Sequence, residues 1–376
     1  MPVLCKNSCG GLTRSWVENF GLSFQNKKVV CYFSWAFQSD RWDILVVEVF
    51  LDFRWGKQVL FSITNFISRA WAADETIELV GRVGFEDDPT SFFRQFERLF
   101  RPQNKPGKRA VVDLTKAEFV YPSALIFLLC LAETLKPNVE LHIRVSEKSK
   151  LHEYLLNCGF SDVFQIPSLP ANFRPLVEPG KVIRLETGTD IPNTEERARW
   201  FVDLIDGVDS MELYFRDRAE ESIGEILRNV KQHSGCSKFY MLGQSFATSR
   251  NVRLITYDDG VGILPHLTRM PYNKQHPQFR KLISKSDYHK MHRLPANFTI
   301  EKAAIYNVSA TNYIENSGAG LDFLVNDFSG PLNGTVTIIS GDGFVQWKNG
   351  QRQHSIALPF KIKGTLVAIG SKGLAV

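Results

Sequence analysis

From Thr76 to about Pro170, short apolar runs alternate with segments of helical period, and this alternation constrains the fold more than any other feature of the chain. Ile77–Val83 reads as a strand, and Pro89–Leu99 as a helix with Phe92, Phe93 and Phe96 on one side. Arg101–Lys108, rich in proline, glycine and basic residues, reads as a loop. Ala110–Leu114 is expected as a buried strand and Pro122–Leu135 as an apolar helix with proline in its first turn. Val139–Val145 alternates as a strand, and Ser149–Cys158 is a helix stopped by Gly159. Strands alternating with helices make an α/β layer.

Hydrophobic residues at 44% and charged residues at 23% are ordinary for a globular chain, which sets aside wholesale disorder. The net charge of +5 is too mild to argue by itself for nucleic acid. Cys5 and Cys9 are spaced like metal ligands, but no second Cys/His pair follows at finger spacing, so free thiols in a reducing compartment are expected. The most apolar run, Ser123–Ala132, is half of the ~20 residues a membrane span needs. No basic-then-apolar leader opens the chain. A cytoplasmic protein without a membrane partner is the expectation. Residues 1–75 are dense in aromatics without a sustained period and carry no readable role; Asp43–Phe53 is expected as a strand and Val59–Ala72 as a helix.

The runs Val111-Val112-Asp113-Leu114, Phe119 through Leu125 and Leu155 through Phe160 resemble those of a STAS domain, the fold of anti-sigma-factor antagonists, over residues 76–170. In that family a serine at the helix start accepts a phosphate. Ser123 falls at that place, although Tyr121, Pro122 and Ala124 replace the family's Asp-Ser-Ser-Gly setting. The resemblance makes Ser123 a candidate phosphoacceptor; the residues alone put it simply in the first turn of a buried helix.

Residues 171–192 read as a connector with a strand at Lys181–Glu186, and Thr194–Leu204 as a helix. Four elements then carry chemistry. In Glu221–Gly235, Ile223, Ile226, Leu227 and Val230 form a helical stripe, while Glu225, Asn229 and His233, four apart, share another face. A carboxylate, a carboxamide and an imidazole so stacked suit a magnesium ion and a water; a solvated polar face has the same pattern. Val252–Tyr257 is a strand that ends in Asp258-Asp259-Gly260-Val261-Gly262. A carboxylate at a strand end can accept a hydrogen bond from an adenine amino group, and the glycines let backbone approach a ring. Asn316 through Leu324 leads small residues, Gly318 and Gly320 among them, into an amphipathic helix whose free N–H groups favour phosphate. No P-loop motif occurs. Finally Gly334–Ser340, a turn at Gly341-Asp342-Gly343, Phe344–Lys348 and Gly364–Ile369 read as antiparallel strands.

In this order the four elements resemble the GHKL superfamily, shared by type II topoisomerase ATPases, heat-shock chaperones, histidine kinases and mismatch-repair ATPases. The resemblance implies a Bergerat-type α/β sandwich with a mixed sheet over residues 193–370, binding ATP and Mg²⁺. It implies Glu225 as the catalytic carboxylate and Asn229 as the magnesium ligand. Asp258 becomes the adenine reader with Gly260 and Gly262 beside it. Gly318, Gly320 and Leu321 form the phosphate loop, and Thr365 supports the adenine end. The loop continues Leu321-Asp322-Phe323 where the family has Leu-Gly-Leu. His233 is not a kinase phosphoacceptor, which would sit on a separate dimerisation helix.

The segment between the glycine boxes, Ile263–Ser317, is long, and Arg269–Arg293 carries seven Lys/Arg against Asp287 alone. A solvated flexible lid, a γ-phosphate clamp and a surface for nucleic acid or an acidic partner are its three readings. The expectation is an ATP-dependent regulatory protein, kinase-like or ATPase, closest to anti-sigma-factor serine kinases and joined to a STAS-like module, with a protein partner or self-association. The alternatives are an ATP-gated binding module without turnover and a nucleic-acid-linked ATPase.

Overall fold

The computed structural model describes residues 75–86, 88–101, 107–147, 149–164, 166, 182–189, 193–206, 213–233, 235–246, 251–275, 277–304, 320–330 and 334–372, with four short strands before them. The chain divides into two compact units, Met1–Ala72 and Ala73–Val376. In the first, β1 (Phe20–Gln25) pairs antiparallel with β2 (Lys28–Phe33), and β3 (Glu48–Val49) with β4 (Ile63–Thr64). Ile63–Thr64 is thus strand where a helix was expected. Cys5 and Cys9 lie outside the described residues.

The second unit opens with β5 (Glu75–Val83), α1 (Pro89–Arg94) with a 3₁₀ turn Glu97–Phe100, β6 (Lys108–Val120), α2 (Pro122–Leu135), β7 (Val139–Arg144), α3 (Lys150–Asn157) and α4 (Ser161–Phe164). β5, β6 and β7 form a parallel sheet in that order, as right-handed strand–helix–strand chemistry favours. The local signals act as written. The Asp88 side chain accepts from Ser91 N–H to start α1, Ser149 accepts from His152 N–H to start α3, and Gly159 takes φ +86° behind it. β6 runs six residues past the expected Leu114.

A second, five-stranded sheet follows. It uses β8 (Val182–Gly188), then α5 (Thr194–Asp206) and α6 (Leu213–His233), then β9 (Phe239–Phe246) and β10 (Asn251–Asp258). Four short helices come next: α7 (Ile263–Thr268), α8 (Pro277–Leu282), α9 (Lys285–Met291) and α10 (Ala296–Ala303). After α11 (Gly320–Phe323) and a π-type turn (Leu324–Phe328), the chain ends in β11 (Thr335–Lys348) and β12 (Gln351–Lys372). The sheet order is β11-β12-β10-β9-β8, and every pairing is antiparallel. The mixed sheet expected here is therefore corrected: each neighbour enters from the opposite direction, so no parallel crossover is needed. The expected turn at Gly341-Asp342-Gly343 is corrected too. Those residues are bulges within one long β11, and the reversal comes at Asn349-Gly350, both in left-handed backbone. β8, expected in the connector, is the edge strand of this sheet.

Alternation sorts the sheet into two faces. Phe239, Met241, Val252, Leu254, Val336, Ile338, Val367 and Ile369 pack with Ala198, Phe201 and Val202 of α5 and with Ile223, Ile226, Leu227 and Val230 of α6. Tyr240, Leu242, Ile255, Tyr257, Ile339, Leu366 and Ala368 point the other way and share one core with the parallel module. There α2 lies against β9, β10 and β12. Phe93 meets Phe344 at 5.2 Å between ring centroids, and Phe100 stacks on Phe360 at 4.4 Å. Each such pair contributes about 0.5–1.5 kcal/mol beyond its buried area. A boundary near residue 170 is consequently no boundary of the core: the two modules are fused through the back of the antiparallel sheet.

Candidate functional site

The end of β10 is where chemistry and geometry meet. Even-numbered residues of β10 face α5 and α6, and odd-numbered ones face α2. Asp258 therefore lies on the α6 face. Thr365 is its partner across to β12, and Ser340 is the partner of Thr365 on β11, so the three form one row across three strands. The loop after Asp258 is fastened to that row. Ser340 Oγ donates to the Gly364 carbonyl at 3.0 Å and accepts from Ile263 N–H at 3.0 Å. With its one proton so used, the 3.3 Å contact with Thr365 Oγ1 has Thr365 as donor.

Two glycines permit the fastening. Gly364 stands at φ +76°, where a Cβ would lie 1.7 Å from the Asp258 carbonyl oxygen. Gly262 stands at φ +80°, where a Cβ would lie 2.9 Å from Ser340 Oγ. Gly262 thus has a structural reason to be glycine, apart from any ligand. Gly260 donates its N–H to Asp258 Oδ1 at 2.9 Å, an Asx-type turn.

Adjacent carboxylates here have opposite environments. Asp259, on the α2 side, accepts from Ser237 N–H and Lys238 N–H at 2.7 Å each, from the Ser237 hydroxyl, and from Lys363 Nζ at 2.8 Å. Burial would raise its pKa, but the Lys363 and Ser237 side chains and the two backbone donors outweigh it and hold the group below the usual carboxylate value. Asp258 is 6% exposed and has the Gly260 N–H as its one hydrogen-bond donor among the described residues, with no cation paired to it. Burial pushes its pKa up to about 7, Asp259 adds to the rise, and the Gly260 N–H opposes it. A neighbouring pair pushed apart in this way is the pattern of one structural and one functional carboxylate.

The other expected residues are placed differently. Glu225 is 8% exposed on α6, and its Oε2 accepts from Arg228 Nη2 at 3.0 Å and Nε at 3.2 Å. Asn229 is half-buried one turn on. Glu225 is two residues past Ile223, hence about 200° round the helix from the stripe on the sheet. Among the described residues no hydrogen bond or ion pair joins either of them to Asp258. Leu321 packs, half-buried, between the α5/α6 core and the helical cap. Gly320 opens α11, which is four residues long rather than the amphipathic helix expected, and Asn326 donates to Asp322 at 2.7 Å just beyond it. Gly318 and the rest of residues 305–319 lie outside the described residues, as does the His233 side chain.

The segment read as a flexible lid is folded as far as residue 304. Leu267, Phe279, Ile283, Tyr288, Met291 and Ala303 make a small core of their own, and Tyr288 OH donates to the Met270 carbonyl at 2.7 Å. Phe279 and Tyr288, which lie among the basic residues in sequence, are buried in that core. Ser340 and Gly364 were missed by the sequence reading. Only strand register brings them to Asp258, although Gly364 immediately before Thr365 was an available signal.

Ser123 is 2% exposed, and its hydroxyl donates to Glu86. A phosphate there would put a dianion against a carboxylate in a closed core. The expected outcome of incubating the folded chain with Mg-ATP is therefore no mass gain at Ser123, checked by intact-mass and peptide measurement.

Asp258 is a carboxylate that accepts from a single donor, the Gly260 N–H, among the described residues. Among the described residues no cluster of three His, Cys, Asp or Glu could hold a metal ion. Among the described residues no helix is long and apolar enough to cross a membrane. No family model and no curated protein matches the chain.

Proposed function

We propose that the second unit binds Mg-ATP at the end of β10, and that it is a GHKL-type regulatory protein whose STAS-like module is built into the nucleotide-binding body. The observation that carries this is Asp258: a buried carboxylate without a cation, next to a glycine loop stapled by Ser340 and Thr365. Burying a carboxylate so sparsely satisfied costs stability, and a site that reads an N–H donor explains the cost. Bound Mg-ATP would supply a γ-phosphoryl group. Glu225, one turn before Asn229, would orient a water or hydroxyl toward it.

A second reading has an observation in its favour. Glu225 is occupied by Arg228, so ATP serves as a conformational ligand unless that pair opens. A nucleic-acid-linked role is the weakest of the three, because Phe279 and Tyr288 of the cap are buried. Calorimetric titration with Mg-ATP, Mg-ADP and Mg-GTP, followed by product analysis, tests the proposal. Saturable binding of ATP well above GTP is expected. Equal binding of both, or of neither, overturns it, and binding with neither ADP nor phosphoprotein formed selects the second reading.

A further inference from the structure

Asp259, which the nucleotide reading leaves unused, ties the base site to the parallel module. Its carboxylate is gripped by Lys363 Nζ at 2.8 Å and by the backbone N–H of Lys238 at 2.7 Å. Both of those residues are in turn held by the last turn of α2. Thr134 Oγ1 accepts the N–H of Lys363 at 3.0 Å. Glu133 accepts from Lys238 Nζ at 2.9 Å and from Tyr240 OH at 2.7 Å. Two consecutive residues of α2 thus fasten both arms that hold the carboxylate next to Asp258.

We propose that Lys363 is a positioning residue for Asp258, acting through Asp259, and that α2 holds it there through Thr134. The proposal rests on Asp258 being the base reader, but it makes a claim about the unliganded protein as well. The physical step is electrostatic. Asp259 and Asp258 are like charges on neighbouring residues, and Lys363 neutralises the first. Removing that cation leaves the Asp259 charge with its hydrogen-bond donors but no counter-charge, so Asp258 ionises less readily and is a poorer acceptor. The other groups around Asp258 do not compete. Cys130 of α2 and Tyr257 beneath it are held neutral, burial pushing both thiol and phenol upward. On β9, Tyr240 is likewise raised by burial and by Glu133, and the Lys238 ammonium is engaged by Glu133. Lys363 is half-exposed, so its replacement leaves the core intact.

The test is a carbon-13 titration of aspartate carboxyls in the full chain, with the Asp258 signal assigned by its loss in D258N. Lys363→Met and Lys363→Gln are each expected to raise the Asp258 midpoint by roughly half to one pH unit. Lys363→Arg should leave it in place, and Thr134→Val should move it upward by less. In parallel, K363M should weaken Mg-ATP binding at neutral pH several-fold, with K363R restoring it. An unmoved midpoint in K363M and K363Q overturns the proposal whatever the nucleotide does. A shift in K363M without one in T134V removes α2 from it. A raised midpoint in K363M and K363Q, where the wild-type chain binds no nucleotide, upholds the coupling and sinks the base reading instead.

Discussion

Asp258→Asn is expected to make the fold more stable and, in the same protein, to weaken ATP binding tenfold to a hundredfold. A carboxyl moved from 3.8 to about 7 bears a penalty of about 4 kcal/mol on its ionised form. The amide is never ionised, but its NH₂ has no acceptor waiting, which costs about 1–3 kcal/mol. The net gain is on the order of 1–3 kcal/mol at neutral pH, read as a rise in Tm. The loss in binding follows because an amide can turn a donor toward the adenine donor, and a hydrogen bond to a charged group is worth roughly 1.5–3 kcal/mol. The pH dependence has a definite sign. The native chain keeps the Asp258 proton up to about pH 7, while the unfolded chain releases it near pH 4. The native state therefore binds more protons in that window, and this group's contribution to stability falls as pH rises from about 4 to about 7 and is level above. That component should vanish in D258N. A variant less stable than the wild type, with the same pH slope, would show Asp258 to be an ordinary structural carboxylate.

Turnover has a separate determinant. Glu225→Ala should leave Mg-ATP affinity within a few-fold while lowering turnover by ~10²–10⁴, the usual contribution of a general base. Asn229→Ala should harm binding and turnover together, because the metal loses its protein ligand. The ion pair adds a third arm. Arg228→Ala frees a carboxylate that is 8% exposed, and single-turnover measurement should then show chemistry at least as fast as in the wild type. Slower chemistry in R228A, at unchanged affinity, would mean that Arg228 itself acts on the phosphates and that Glu225 only orients it.

Much of the local structure was legible because its causes are local. Ser149 and Gly159 bound α3, proline starts α2, and the stripe on α6 and the alternation on β10 follow from 3.6- and 2-residue periods. The Gly341-Asp342-Gly343 segment shows where such reading stops. A glycine-rich tripeptide between apolar runs is a turn in isolation, yet here Gly343 lets the backbone of α10 approach β11, and Asp342 accepts the N–H of Ala296 at 2.8 Å. The demand for a small residue came from another element, which no window along the chain contains. The basic segment 269–293 was misread for a related reason: its Lys and Arg dominate the pattern, while the core beneath it rests on a few apolar residues scattered over four short helices.

By itself, then, the sequence determined that an α/β chain carries a strand ending in Asp258 and a helix bearing Glu225 and Asn229, because hydrogen-bonding and apolar periods are properties of neighbouring residues. It pointed to Asp258 by its place at the strand end and by resemblance, but it could not show how the surroundings of Asp258 and Asp259 differ. Alternation turns them to opposite faces, but what each face holds depends on α2 and on β11 and β12, with Lys363 returning from 104 residues beyond Asp259. The β9–β10 pairing puts Ser237 and Lys238 on Asp259, the return of β12 adds Lys363, and among the described residues Asp258 is left buried with the Gly260 N–H. Desolvation and pairing are set by the three-dimensional surroundings, and they decide which of two identical side chains is held charged and which is pushed toward its protonated form.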